Sequence, residues 1–406
     1  MVLQLPFGKT HVYLTVDEKL KVDVFDVDNE TEGDGEGLIL SALEKGSPAF
    51  LSWAAGRSRI VLVISDYSRA TGTHIYVPII VEQLLDSGMR PDQITILIAL
   101  GLHRPTTEDE MVQLVTPRIY KLINVVNHDP DGRITDVQGT GFSAYITEAD
   151  AVIITGVVTF HPMAGFSGGY KSLLPGVAAR KDVISNHRKF FRGLAPHPGV
   201  GPAMINDNPV LDDITASCRS FQQSIYCLNV VMHQDDRITY ASAGTVDHAW
   251  GACRDFLMSR CTVPFDRRYP VVIASAGGYP ADFSFYQCMK ILTNASRLCE
   301  PGGELYILAE CSHGWEIDQS LFSMFSASLE EAAKQLLDDF RMDALAVYMA
   351  MRIIRRYQVH LLSALPEDEV HASGMKPFGT LDGTVPAAGT CAVLPYGAKL
   401  LPIMDQ

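Results

Sequence analysis

Three segments of this 406-residue chain place ionisable side chains directly after apolar runs. Ser65-Asp66-Tyr67-Ser68-Arg69-Ala70-Thr71 follows the run 60–64, and Gly101-Leu102-His103-Arg104-Pro105 follows 94–98. Gly156, then Thr159-Phe160-His161-Pro162, follows 151–154. Imidazole exchanges protons near neutral pH, so it is the usual side chain for general acid–base work. A single histidine in such a place is more often a satisfied loop residue. An Asp with an Arg, a His and a second His at three equivalent places point to one shared site, because ligands of open α/β sheets bind beyond the carboxyl ends of strands.

The densest stretch is 161–178, HPMAGFSGGYKSLLPGVA. Gly165, Gly168 and Gly169 allow close approach of the backbone to a ligand. Lys171 follows them and could open a helix. The stretch misses the phosphate-binding pattern G-x-x-x-x-G-K-[ST] because Tyr170 stands where glycine is required. A glycine-rich turn carrying a reactive or phosphate-binding lysine is the plainer reading; a surface lysine on an ordinary turn is the bland one. His187 lies sixteen residues after Lys171. Imidazole is a common ligand of nickel, copper and zinc. With no HExxH spacing and no nearby carboxylate cluster, His187 reads as one ligand to a metal carried by something else, or as a polar residue near a helix start. In Phe285-Tyr286-Gln287-Cys288-Met289-Lys290, Tyr286 and Lys290 stand i,i+4 and share a helix face, with Gln287 at i,i+3 to Lys290. That face offers a phenol, an amide and an ammonium to one anionic group, or is simply solvated.

These residues need a scaffold of alternating strands and helices. Apolar runs at 60–64, 94–98, 151–154, 271–274, 305–308 and 359–362 read as strands. Helical periodicity covers 75–86, 109–115, 283–298, 329–340 and 344–357. Buried strands alternating with amphipathic helices predict an α/β fold with mostly parallel sheets. The expected division is a larger N-terminal domain, 1–265, bearing the cofactor and catalytic residues, and a smaller C-terminal α/β domain, 266–394. The apolar tail, about 395–406, is expected to return to the first domain. The acidic, glycine-bearing stretch 26–37 reads as an exposed loop.

Composition narrows the function. With 33 basic and 47 acidic residues the formal charge is -14, which argues against general nucleic-acid binding. A small basic pocket in an acidic body still admits an anionic substrate. No run of eighteen apolar residues suggests a membrane span, and the N-terminus lacks the regions of a signal peptide. A cytoplasmic protein is therefore expected. The eight cysteines all lie at or after Cys218 without a C-x-x-C pair, so reduced, packed thiols are expected.

Taken in order, SDYSRAT, ALGLHRP, FHPMAGFSGGYKSLLPG, SNHRKF and FSFYQCMK resemble the nickel-pincer-dependent lactate racemase family of 2-hydroxy-acid racemases and epimerases. The matched motifs run from about Asp66 to Lys290, just over half of the chain. The resemblance implies an isomerase that moves the Cα hydrogen as hydride, coupled to proton transfer. It implies nickel bound to pyridinium-3-thioamide-5-thiocarboxylic acid mononucleotide, held covalently on Lys171, with His187 as the protein ligand to nickel. His103 and His161 look like the paired acid/base residues. Asp66, Gly168 and Gly169 would hold the cofactor. Arg69, Tyr286, Gln287 and Lys290 would orient the substrate and its carboxylate. The smaller domain of such proteins closes over the cofactor. The implied partners are a small 2-hydroxy acid and the proteins that make the cofactor, with no nucleic acid and no membrane.

One departure bears on the substrate. Lactate racemases have a tryptophan in the C-terminal domain lining the substrate pocket. Here no Trp follows Trp315, and Tyr348 stands in the corresponding region. A larger or more polar 2-hydroxy acid, such as malate or a sugar acid, is then at least as well suited as lactate. Three other readings compete. A P-loop-like phosphotransferase would use Lys171 and Ser172. A non-catalytic cofactor-binding protein would dispense with His103 and His161. A nicotinamide dehydrogenase would need a G-x-G-x-x-G after the first strand, which is missing.

Overall fold

Strands that are apolar on both faces must be covered on both sides. The computed structural model describes residues 2–26, 34–67, 71–233, 237–386 and 388–405, and it gathers such strands into two six-stranded sheets. Each sheet belongs to its own compact unit: Asn29–Arg192 with Pro196–Ser259, and Met1–Asp28 with Gly193–Ala195 and Arg260–Gln406. We call them the histidine unit and the terminal unit. The expected α/β class with mostly parallel sheets holds in both. No helix among the described residues is long and apolar enough to cross a membrane.

In the histidine unit, Asn124–Asn127, Ile94–Ala99, Ile60–Ser65, Ala151–Val157, Ser224–Met232 and Ile238–Gly244 lie side by side in that order. All pairings are parallel except that of the last strand. Read in chain order, the strands run 3-2-1-4-5-6, the doubly wound arrangement. The chain moves outward from Ile60–Ser65 to one edge, then restarts on its other side with Ala151–Val157. The crevice between those two strands is the topological switch point, where such sheets bind ligands. Register makes the rim even: Ile60 faces both Ile94 and Ala151. Every residue of Ala151–Val157 is buried. The helix Thr73–Asp86 covers the sheet with Tyr76, Val77, Ile80, Val81 and Leu84. Glu108–Val115 starts at a reciprocal cap between Thr107 and Glu110.

In the terminal unit the order is Lys376–Pro377, Gln358–Leu362, Cys299–Leu308, Tyr269–Ser275, Gly389–Leu394 and Leu20–Val24, all parallel. The helices Phe285–Leu298, Leu329–Asp338 and Met342–Ile354 lie close to their predicted ranges.

The boundaries differ from the expected ones. The first 28 residues belong to the terminal unit, not to the domain that follows them in sequence. Leu5, Leu14 and Leu20 pack with Ile273, Tyr306 and Val393, and Leu20–Val24 forms the sheet edge beside Gly389–Leu394. The tail strand Leu401–Met404 pairs with Thr262–Phe265, which lies in this same unit, so the tail stays there rather than returning to the other domain. The loop expected over 26–37 ends earlier, because Asp34 caps a helix, Gly35–Lys45, by accepting from the Gly37 amide; 27–33 lie outside the described residues. All eight cysteines are buried free thiols. Burial raises the Cys218, Cys227 and Cys253 thiols far above their usual range.

Candidate active site

The strand Ile60–Ser65 delivers Asp66 to the rim of its sheet, where it is 2 % exposed. The neighbouring strand Ile94–Ala99 ends in a turn closed by the His103 amide on the Leu100 carbonyl at 2.9 Å. Gly101 has φ +56° there, and its amide donates to the Gly176 carbonyl at 2.9 Å. The turn aims the His103 ring back at Asp66, with Nδ1 2.5 Å from Oδ2. An ionised carboxylate only accepts, so Nδ1 carries the proton and Nε2 keeps its lone pair. Asp66, expected with the cofactor-holding residues, is thus the group that orients a histidine. Arg104 is committed elsewhere: it forks onto Glu110 at 2.6 and 2.9 Å and lies over the Tyr67 ring. Arg69 lies outside the described residues.

His161 sits beyond Ala151–Val157, across the switch point from Asp66. Phe160–His161 and Gly165–Phe166 form a minimal antiparallel hairpin with His161 opposite Gly165. The hairpin turns so tightly that the Met163 and Ala164 amides donate to His161 Nδ1 at 3.2 and 3.1 Å. Gly165 has φ +77°, and a Cβ there would lie 2.4 Å from the Met204 carbonyl oxygen.

The glycine-rich loop is held by residues the sequence did not single out. Asn229, fully buried in Ser224–Met232, accepts from the Gly169 amide at 2.9 Å and donates to the Gly156 and Leu228 carbonyls at 3.1 Å each. Trp250 donates through Nε1 to the Ser167 carbonyl at 3.0 Å. The Ser167 hydroxyl accepts from the Thr159 amide and donates to the Val157 carbonyl. Gly168 and Gly169 both have positive φ, and a Cβ on them would meet Val158 at 2.8 Å and Trp250 at 2.9 Å. Their glycine identity is therefore explained by close protein packing, where close approach of a ligand was expected. The one readable signal for Asn229 was an amide inside the apolar run CLNVVM.

Lys171 is half-buried on a short 3-10 turn, Gly169–Ser172. No α-helix opens at this lysine, and Ser172 donates its hydroxyl to the Thr155 carbonyl at 2.7 Å. A phosphate-binding loop needs that helix start and a hydroxyl for its metal. Neither is present.

His187 lies in the last turn of Arg180–Arg188, not at a helix start. It is buried, and its Nδ1–H donates to the Val183 carbonyl at 2.7 Å. Burial first, then the Lys171 ammonium, brings its pKa down to about 4. The ring is thus neutral at ordinary pH, with an Nε2 lone pair, which is the state and tautomer of a metal-ligating histidine. Asn186 anchors this helix through the Val210 carbonyl and Asp213. Among the described residues no group of three or more His, Cys, Asp or Glu could hold a metal.

Asp66, His103, His161, Lys171 and His187 all belong to the histidine unit; Tyr286, Gln287 and Lys290 belong to the terminal unit. Those three ride the first turns of Phe285–Leu298, whose start Ser284 caps through the Gln287 amide. Tyr286 and Gln287 are half-buried and Lys290 is exposed. Tyr348, on Met342–Ile354, is buried and its hydroxyl donates to the Leu194 carbonyl at 3.4 Å.

Comparison with known proteins bears on the family. The family profile of the lactate racemase N-terminal domain matches residues 7–196, and that of the C-terminal domain matches 266–400. A lactate racemase of Thermoanaerobacterium thermosaccharolyticum is 29% identical over 332 residues, 77% of this chain and 75% of that protein. A lactate racemase of Lactiplantibacillus plantarum is 31% identical over 278 residues, 66% of this chain and 64% of that protein. The structure of the T. thermosaccharolyticum lactate racemase apoprotein superposes with a TM-score of 0.88 over 100% of both chains, at 24% identity. A Thermotoga maritima protein shares the fold with a TM-score of 0.67 at 16% identity, over 93% of this chain and 100% of its own. With both profiles in order, two curated relatives and a full-length fold match, the chain belongs to the lactate racemase family of isomerases.

Proposed function

We propose that this racemase inverts the α-carbon of a 2-hydroxy acid by proton-coupled hydride transfer, with a nickel-pincer nucleotide carried on Lys171. The observation that carries this reading is the pairing of Lys171 with His187. Lys171 is half-buried on the turn Gly169–Ser172, and His187 is a buried imidazole with Nδ1–H on the Val183 carbonyl and Nε2 left as a donor, kept neutral by burial first and then by the Lys171 ammonium. That donor set fits a metal whose remaining ligands come with an organic group, since the described residues offer no chelating cluster. Lys171 would hold the nucleotide and His187 would complete the nickel site; the chemistry supplied there is acceptance and return of the Cα hydrogen as hydride.

The chain's own part is positional and acid–base. The Cα hydrogen beside a carboxylate is a very weak acid, so removing it as a proton needs a strong base or a metal at the carboxylate. Two histidines suffice when only the hydroxyl proton must be managed. By the family resemblance, Arg69, Tyr286, Gln287 and Lys290 would supply the cations and hydrogen bonds suited to a substrate carboxylate. With Tyr348 in place of tryptophan, the substrate class is a 2-hydroxy acid not restricted to lactate. The supply of the nucleotide implies partner proteins that make it. We read the protein as cytoplasmic.

Intact mass spectrometry with nickel analysis tests the cofactor, using full-length protein made alongside cofactor-producing proteins. An adduct on Lys171 together with nickel supports the reading; bound ATP with no adduct would favour a phosphotransferase. Racemisation in deuterated water tests the reaction. Protium should remain at Cα early on. Rapid deuterium incorporation there would mean a proton-transfer racemase.

A further inference from the structure

We propose that the two histidines do different, fixed jobs: His103 takes and returns the substrate's hydroxyl proton at Nε2, and His161 keeps its Nε2 proton and donates a hydrogen bond with it to a substrate oxygen. The proposal rests on the racemase reading above and refines it, because that reading treats the pair as interchangeable.

The argument starts at the Nδ1 atoms. His161 Nδ1 receives two backbone amides, from Met163 at 3.2 Å and Ala164 at 3.1 Å. A ring nitrogen that accepts carries no proton, so the proton of the neutral ring is on Nε2. Adding a proton at Nδ1 would turn two buried N–H groups against a third. Met163 and Ala164 are 3 % and 0 % exposed, so water cannot take over those amides. Losing the Nε2 proton would leave an imidazolate, which neutral water does not support. The turn that holds His161 therefore opposes its action as a base at Nδ1, and the instability of imidazolate in water opposes loss of the Nε2 proton. That turn is fixed by the hairpin register and by Gly165 at φ +77°.

His103 is wired the opposite way. Its Nδ1 lies 2.5 Å from Asp66 Oδ2, so the proton sits on Nδ1 and Nε2 has the lone pair. A proton arriving at Nε2 makes an imidazolium facing a buried carboxylate, the arrangement by which an aspartate supports a histidine base. Asp66 is a positioning residue: it acts through the ring.

The proton balance closes with one base. The hydroxyl proton passes to His103 Nε2 as the Cα hydrogen leaves as hydride, which the nickel-bearing nucleotide of the proposed function would accept, and the 2-hydroxy acid becomes the 2-keto acid; the same proton returns to the oxygen as the hydride returns to Cα. One base serves both faces when the keto acid turns about its carbonyl axis. This leaves the oxygen at His103 and exchanges the carboxylate with the substituent.

Nitrogen-15 histidine spectra of the full-length apoprotein test the tautomers directly. The His161 ring is assigned by cross-relaxation to the Met163 and Ala164 amides, and the His103 ring by its loss in His103→Gln. The proposal expects an Nε2–H ring at His161 and an Nδ1–H ring at His103. In the cofactor-loaded enzyme, His161→Gln, which keeps an N–H donor near the Nε2 place, should retain turnover within about tenfold. His103→Gln should lose at least about 100-fold, the lower range for a general base. An Nδ1 proton on His161 would overturn the proposal, as would a folded His161→Gln variant as inactive as His103→Gln. A loaded wild-type chain that interconverts no 2-hydroxy acid would remove the racemase reading and with it the job given to His103. The spectra would still decide the tautomers.

Discussion

Asn229 makes the most exacting test of how the glycine-rich loop is held. Replacing it by alanine removes the acceptor for the Gly169 amide and the donor for the Gly156 and Leu228 carbonyls. Asn229 is fully buried and Gly169 is buried, so water does not substitute. A buried N–H left without a partner costs about 1–3 kcal/mol. The carbonyls, with a second lone pair each, and the void left by the amide add a smaller amount, for a total of about 2–4 kcal/mol. In a unit of this size about 1 kcal/mol moves the melting temperature by roughly 2–4 °C, so a fall of about 5–15 °C is expected. The loop carries Lys171, so nickel and adduct retention should fall as well. Thermal unfolding and hydrogen exchange at the Gly169 amide read the two ends of the argument. A variant that melts within about 1 °C of wild type, with the Gly169 amide as protected as before, would show that Asn229 does not hold the loop.

His187→Ala should lower retained nickel while leaving the fold intact; undiminished nickel by metal analysis would remove His187 as a ligand. The apoprotein should also lose stability in mild acid because of this residue. Its pKa falls from the ordinary 6.5 to about 4 in the fold, so the unfolded chain binds the proton first. The contribution is full above about 6.5 and is lost as the pH falls through about 4; denaturant titrations at pH 7 and pH 5 should show less loss in His187→Gln than in wild type. Glu110 behaves similarly at lower pH. Its hydrogen bonds to Arg104 hold its carboxyl at about 2 against the ordinary 4.5, so the stabilisation present above 4.5 is lost as the pH falls toward 2. The stability gap between wild type and Glu110→Gln should therefore be larger at pH 7 than at pH 2.5.

The sequence by itself determined the interior of both sheets. Strands such as Ala151–Val157 and Tyr269–Ser275 are buried along nearly their whole length, and a run apolar on both faces has little other use. Helices with a readable cap and period, such as Glu108–Val115 and Phe285–Leu298, were legible for the same local reason. So was the alignment of Asp66, His103 and His161 after successive strands, because parallel strands put their carboxyl ends on one rim. Tertiary structure decided whatever depends on partners distant in the chain. The early strand Leu20–Val24 forms the edge of its sheet beside Gly389–Leu394, which lies at the other end of the sequence. The loop's supports, Asn229 and Trp250, are 60 and 83 residues from the groups they hold. The tautomers of His103 and His161 follow from where a turn and a buried carboxylate place Nδ1. A periodic pattern encodes which face is buried; it carries no record of which distant group will meet that face, because that choice is made by the packing of the whole unit.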